Sequence, residues 1–124
     1  MFNFPVSERL KSKKIIKQLF SKGKDEFVFP LKVKFILHQT PSSVPPQVLF
    51  TVPKRNFKHA VDRNAIKRLL KEAYRLNKHL LKDKAGNYKI ATIGFVYIAK
   101  EKLPFERIQR KTILIFERFN EKTS

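Results

Sequence analysis

Arg63, Lys67, Lys71 and Arg75 recur at every fourth position of AVDRNAIKRLLKEAYR (60–75), with Arg68 set beside them. Side chains four apart share one face of a helix, so this spacing builds a ridge of positive charge. The chemistry open to such a ridge is binding. Ammonium and guanidinium groups neutralise phosphates and release their counterions, and arginine adds a planar fork for bidentate contacts. The competing reading is a solvated surface helix, which normally carries Glu–Lys pairs four apart. Here Asp62 and Glu72 are the only acids between Lys54 and Lys82, against ten Lys and Arg. Asp62 reads as a helix cap and Glu72 as an isolated acid. Like charges four apart destabilise an isolated helix, which favours a polyanionic partner.

Other chemistries lack their residues. A protein nuclease needs clustered carboxylates for metals or a poised base. The acids here are scattered, so no catalytic residue, protein-held metal or nucleotide cofactor is expected. His38, His59 and His79 show no metal-ligand spacing and read as surface residues. The absence of cysteine removes disulfides, cysteine-ligated zinc and a thiol nucleophile together. Lys and Arg outnumber Asp and Glu by 28 to 10, for a net charge of +18. Solubility alone needs roughly 2–8 charges in a small domain, and nucleic acid is the commonest polyanionic partner. MFNFPVSERLKSKK lacks the apolar core of a secretory signal, and no apolar run approaches the roughly 20 residues of a membrane span. A cytoplasmic protein with no membrane partner is expected.

The elements that must position the ridge follow from periodicity. The length fits one domain, 1–124. Ser12 caps a short helix that places Ile15, Ile16, Leu19 and Phe20 on one face, with Gly23 as its stop. FVFPLKVKFIL (27–37) reads as extended, Val33, Phe35 and Leu37 alternating with Lys32, Lys34 and Ile36. TPSSVPP (40–46) is an exposed connection. QVLFTV (47–52) is a strand ended by Pro53. A helix from about Ala60 to Lys82 puts Arg63, Lys67, Lys78, Lys71, Lys82, Arg75 and Arg68 on an arc of about 140°. Ala65, Ile66, Leu69, Leu70, Ala73, Leu76 and Leu80 lie opposite, with Tyr74 and Leu81 at the boundary. YKIATIGFVYIA (88–99) reads as a central strand covered on both faces, in which Gly94 marks a bulge or a close approach. Pro104 opens a last helix with Phe105, Ile108, Thr112, Ile115, Phe116 and Phe119 on its buried side, although its TILI run also suits a strand. The expected fold is an α/β (α+β) two-layer sandwich: a mostly antiparallel sheet and three helices in the order αβββαβα.

PKRNFKHAVDRNAIKRLLKEAYRLNK (53–78) resembles the signature of the bacterial ribonuclease P protein subunit: a basic pair after a strand, a short loop, then R-N-R-x-K-R-x-x-R on a helix. Lys54 and Arg55 match the pair, and Arg63, Asn64, Lys67 and Arg68 match the helix. Ala65 stands in place of a family arginine, and Lys71 replaces another. RLKSKKIIKQLFSKGK (9–24) and the FVYIAK strand (95–100) extend the resemblance over most of the chain. It implies a subunit that binds a catalytic RNA and the 5′ leader of precursor tRNA, the RNA and its Mg²⁺ ions removing that leader hydrolytically. It also implies a left-handed βαβ crossover. Lys54, Arg55, Arg63, Asn64, Lys67, Arg68, Lys71 and Arg75 would face the catalytic RNA. Sheet and first helix would form a leader cleft with Lys17, Phe20, Lys32 and Lys34, Phe20 either stacking on a base or serving the core. Ile16 stands where an aromatic is common. The other reading is a non-catalytic structural RNA-binding protein, such as a small ribosomal protein.

Overall fold

Helix α1 (Lys13–Lys22) starts where Ser12 Oγ accepts from the Ile15 amide at 3.3 Å, and stops where the Gly23 amide donates to the Leu19 carbonyl at 2.9 Å. Strands β1 (Lys24–Val28) and β2 (Leu31–Ser42) follow, then β3 (Gln47–Thr51), α2 (Ala60–Asn77), a 3-10 turn (Lys78–Leu81), β4 (Tyr88–Tyr97) and α3 (Phe105–Thr123). This computed structural model describes residues 8–123. The first seven residues, part of the stretch read as lacking a secretory core, lie outside them. The order is αβββαβα, and the fold is α+β with three helices on a four-stranded mixed sheet.

The sheet order is β1-β2-β4-β3. β2 is antiparallel to both neighbours, whereas β3 and β4 run parallel and are joined through α2 as a βαβ unit. The segment 27–37 is therefore not one extended run. Phe29 and Pro30, joined by a cis peptide bond, turn the chain and separate β1 from β2. β2 also outlasts the expected strand. It continues through Thr40 and Pro41 to Ser42, shifting register after Ile36 and again after Leu37, so the connection to β3 shrinks to residues 43–46.

Alternation on these strands gives each sheet face its own partner. Val33, Phe35, Ile93, Phe95, Tyr97, Val48 and Phe50 are buried beneath α2 and α3. Phe95 is the hub: its ring stacks on Phe50 at 5.3 Å between centroids and meets Tyr74 and Phe116 edge-on at 6.1 and 6.3 Å. α3 contributes Ile108, Thr112, Ile115, Phe116 and Phe119, all buried, so its β-branched run is helical because packing overrides local preference. On α2, Ile66, Leu70, Ala73 and Tyr74 are buried, while Leu76, expected on the apolar side, is exposed. Asn77 locks the end of α2 by donating to Gln109 Oε1 at 3.0 Å and to the Ala73 carbonyl at 2.8 Å.

α1 covers the other face. Gly94 is a close approach and not a bulge: a Cβ there would lie 2.8 Å from Leu19 Cδ2. Gly94 points away from the side occupied by Phe95, so the sheet is sandwiched between α1 and the α2–α3 pair. The two-layer arrangement thus gains a partial third layer.

Candidate nucleic-acid interface

The two acids of the α2 stretch differ from their sequence reading. Asp62 caps nothing: His59 holds the N-cap position without a side-chain bond, and Asp62, in the first turn, pairs with Lys102 at 3.0 Å. There it complements the helix dipole and ties α2 to the loop before α3. Glu72 is not isolated, because it pairs with Arg75. Lys78 is neutralised as well, its Nζ donating to both oxygens of buried Glu8 at 3.0 Å.

What remains of the ridge is sharper for those losses. Asn64 and Arg68 are exposed, and Lys67 and Lys71 are half-buried. Among the described residues, no carboxylate pairs with Lys67, Arg68 or Lys71. Lys71 has its pKa lowered, first by burial and then by the positive charges of Arg9, Lys67 and Arg68. Arg9, Lys11, Lys67 and Lys71 border a cavity of about 230 Å³ between α2 and β3. Sequence reasoning missed Arg9. It arrives because the N-terminal segment runs along β3, Leu10 N donating to the Val48 carbonyl at 2.9 Å, and no local pattern signals that pairing.

Arg63 has a different task from its neighbours. Its Nη1 donates to the carbonyls of Phe57 and Lys58, both at 2.9 Å. The guanidinium thereby fastens to α2 the loop that follows the Lys54–Asn56 turn. That turn is closed by the Asn56 amide on the Pro53 carbonyl at 3.2 Å, and it presents Lys54 and Arg55 to solvent. Phe57 anchors the loop from beneath, its ring 6.1 Å from that of Tyr97.

The second group gathers on the α1 side. Lys34 sits opposite Gly94 on β4 and Asp25 on β1; Lys32 sits opposite Val96 and Phe27. These lysines share a face while Phe35 is buried on the other, as the alternation predicts. Phe20 is 39% exposed, with Cζ 3.8 Å from the point a Cβ on Gly94 would occupy, so Leu19 and not Phe20 serves the core. Lys17, one turn before Phe20, is exposed. The lysines are not equivalent: Lys34 Nζ pairs with Asp25 at 2.8 Å, and among the described residues Lys32 has no such partner. Phe27, more than half exposed, adds an aromatic that the sequence did not single out. Of the histidines, His59 and His79 are exposed as expected, whereas His38 is half-buried. Among the described residues, no three His, Asp or Glu side chains converge as a metal site requires, and no helix is long and apolar enough to cross a membrane.

The α+β fold thus places cationic groups on helices at both faces of its sheet. The family model for Ribonuclease P matches residues 4–120. The chain belongs to the ribonuclease P protein family. It is 40% identical over 110 residues to the ribonuclease P protein component of Porphyromonas gingivalis, spanning 88% of this chain and 80% of that one. It superposes on the ribonuclease P protein from Thermotoga maritima with a TM-score of 0.71 at 22% identity, covering 90% of this chain and 96% of that one. For the Staphylococcus aureus protein the TM-score is 0.68 at 19% identity, covering 89% and 93%. These two likenesses concern the fold.

Proposed function

We propose that the chain is the protein subunit of ribonuclease P, acting in the cytoplasm on precursor tRNA as the partner of a catalytic RNA. Its surfaces divide the work. Lys67, Arg68 and Lys71, with Lys54 and Arg55 on the adjoining turn, neutralise backbone phosphates of the catalytic RNA. Asn64 supplies a polar contact beside them. Arg63 shapes the turn, and Arg75 contributes less because Glu72 already holds it. On the α1 side, Lys17 and Lys32 receive phosphates of the single-stranded 5′ leader, Lys34 adds a third contact, and Phe20 offers a stacking surface to an unpaired base. Hydrolysis of the phosphodiester is supplied by the catalytic RNA with its Mg²⁺; the protein holds substrate and RNA together. The observation that carries this reading is the group Lys67, Arg68 and Lys71 on α2, which no carboxylate among the described residues neutralises, in a chain whose relatives are ribonuclease P protein components. No relative reported above is a ribosomal protein.

Two results are expected. Rigorously RNA-free protein leaves precursor tRNA intact, yet adding it to the catalytic RNA lowers the Mg²⁺ concentration needed for cleavage. Processing by the protein alone would overturn the assignment. Secondly, Lys32→Ala in the assembled holoenzyme weakens precursor tRNA binding by about three- to tenfold and leaves mature tRNA unaffected. The log–log salt slope falls by about 0.7, one single-strand phosphate contact. Equal losses for both RNAs in a titration would remove Lys32 from the leader path.

A further inference from the structure

The two cleft lysines on β2, Lys32 and Lys34, differ in one respect that composition does not reveal. Asp25 on β1 lies directly across from Lys34 on β2, and its carboxylate holds the ammonium at 2.8 Å. The lysine side chain is 17% exposed and the aspartate side chain 57% exposed, so the pair sits at the rim with the acid outermost. Lys32, two residues earlier on the same face, lies across from Phe27 instead. Glu26, the neighbouring acid, points to the opposite face and pairs with Arg118 at 3.0 Å. Asp25 is therefore the acid that β1 turns toward the lysine side of the sheet.

We propose that Asp25 is a specificity-determining residue of the leader cleft, withholding Lys34 from any phosphate that does not displace it. This rests on the leader reading given above. A phosphate reaching Lys34 must take the place of the carboxylate and then lie beside it, and like charges brought together oppose binding. The carboxylate left beside the phosphate also offsets the lysine charge, so this contact neutralises the phosphate incompletely and adds little to counterion release. Lys32 has neither handicap. The leader backbone is thus drawn first to Lys32, and Lys34 is engaged only by a strand held firmly enough to evict Asp25. Asp25 in this way trades affinity for selectivity against loosely bound polyanions.

Removing the charge while keeping the shape tests the idea. In holoenzyme assembled from the full chain and catalytic RNA, Asp25→Asn is expected to tighten precursor tRNA binding by about three- to tenfold. That is the scale of a partly exposed ion pair with its relieved repulsion. The salt slope should steepen by about 0.7, because Lys34 now contributes a full contact. Mature tRNA should bind as before, and Asp25→Glu, which keeps the carboxylate, should stay within about twofold of the unaltered chain. Unchanged precursor affinity in Asp25→Asn would overturn the proposal. So would an equal gain for mature tRNA, which would reveal bulk charge alone. Lys32→Ala separates the two levels: if it weakens precursor selectively while Asp25→Asn changes nothing, the leader reading stands and the role of Asp25 falls. If Lys32→Ala affects both tRNAs alike, the leader path itself lies elsewhere and both fall.

Discussion

Replacing Lys67, Arg68 and Lys71 together by alanine is expected to weaken assembly with the catalytic RNA by about two orders of magnitude. Each loses one phosphate contact, worth roughly 1 kcal/mol, and the log–log salt slope falls by about 0.7–0.9 per contact. These three positions are chosen because no carboxylate among the described residues pairs with them, so all of their charge is available to a partner. Folding should not suffer. Alanine is the best helix former, and removing cations one turn apart relieves repulsion, which acts after burial in lowering the pKa of Lys71. The control removes equal charge elsewhere: Lys84, Lys100 and Arg110, all exposed and outside α2. A binding titration over a salt series, with thermal melts of both variants, decides the matter. Similar losses in the control triple would mean that net charge, and not the α2 arrangement, drives assembly.

The other large effect is on stability. Phe95→Ala is expected to cost about 3–5 kcal/mol, a large share of the 5–15 kcal/mol typical of a small protein. Phe95 is 1% exposed, and its ring joins Phe50 of β3, Tyr74 of α2 and Phe116 of α3. Truncation would leave a void bounded by three elements whose backbones are fixed by sheet and helix hydrogen bonds, so little collapse can fill it. Urea denaturation measures the loss directly. Phe95→Leu, which keeps most of the volume, should cost much less. A loss below about 1 kcal/mol for the alanine variant would show that the aromatic cluster repacks freely.

Local patterns carried far in this chain where they dictate one side of one element. Pro104 followed by Phe105, Ile108, Thr112, Ile115, Phe116 and Phe119 outlined α3, and the Lys32–Lys34 alternation placed both lysines opposite Phe35. Gly94 announced a bulge or a close approach, without deciding between them or naming Leu19 as its partner. What stayed illegible depends on residues brought together from a distance. Glu8 meets Lys78 across 70 positions, and Glu26 meets Arg118 across 92. Asp62 looked like a cap because Asp near a helix start commonly is one; Lys102, on a loop 40 residues away, claims it instead. The turn at Phe29–Pro30 was hidden because Val28 and Leu31 on its two sides both belong to strands. The candidate site was therefore readable as a set of cations. Which of them are already neutralised was not, since the neutralising acids lie outside the helical repeat for Lys78 and Lys34, and three residues away rather than four for Arg75.

The two carbonyl bonds of Arg63 bear on the tempo of assembly. Since they fasten residues 57 and 58 to α2, the turn with Lys54 and Arg55 meets its partner already shaped. The disorder that would otherwise be surrendered at the moment of contact is surrendered earlier, when the chain folds. On the reading proposed above, the protein's side of the encounter is then preformed, and the long-range pull of a +18 chain on an RNA quickens it. Under those conditions the lifetime of the complex, and not the speed of its formation, distinguishes a good partner from a poor one.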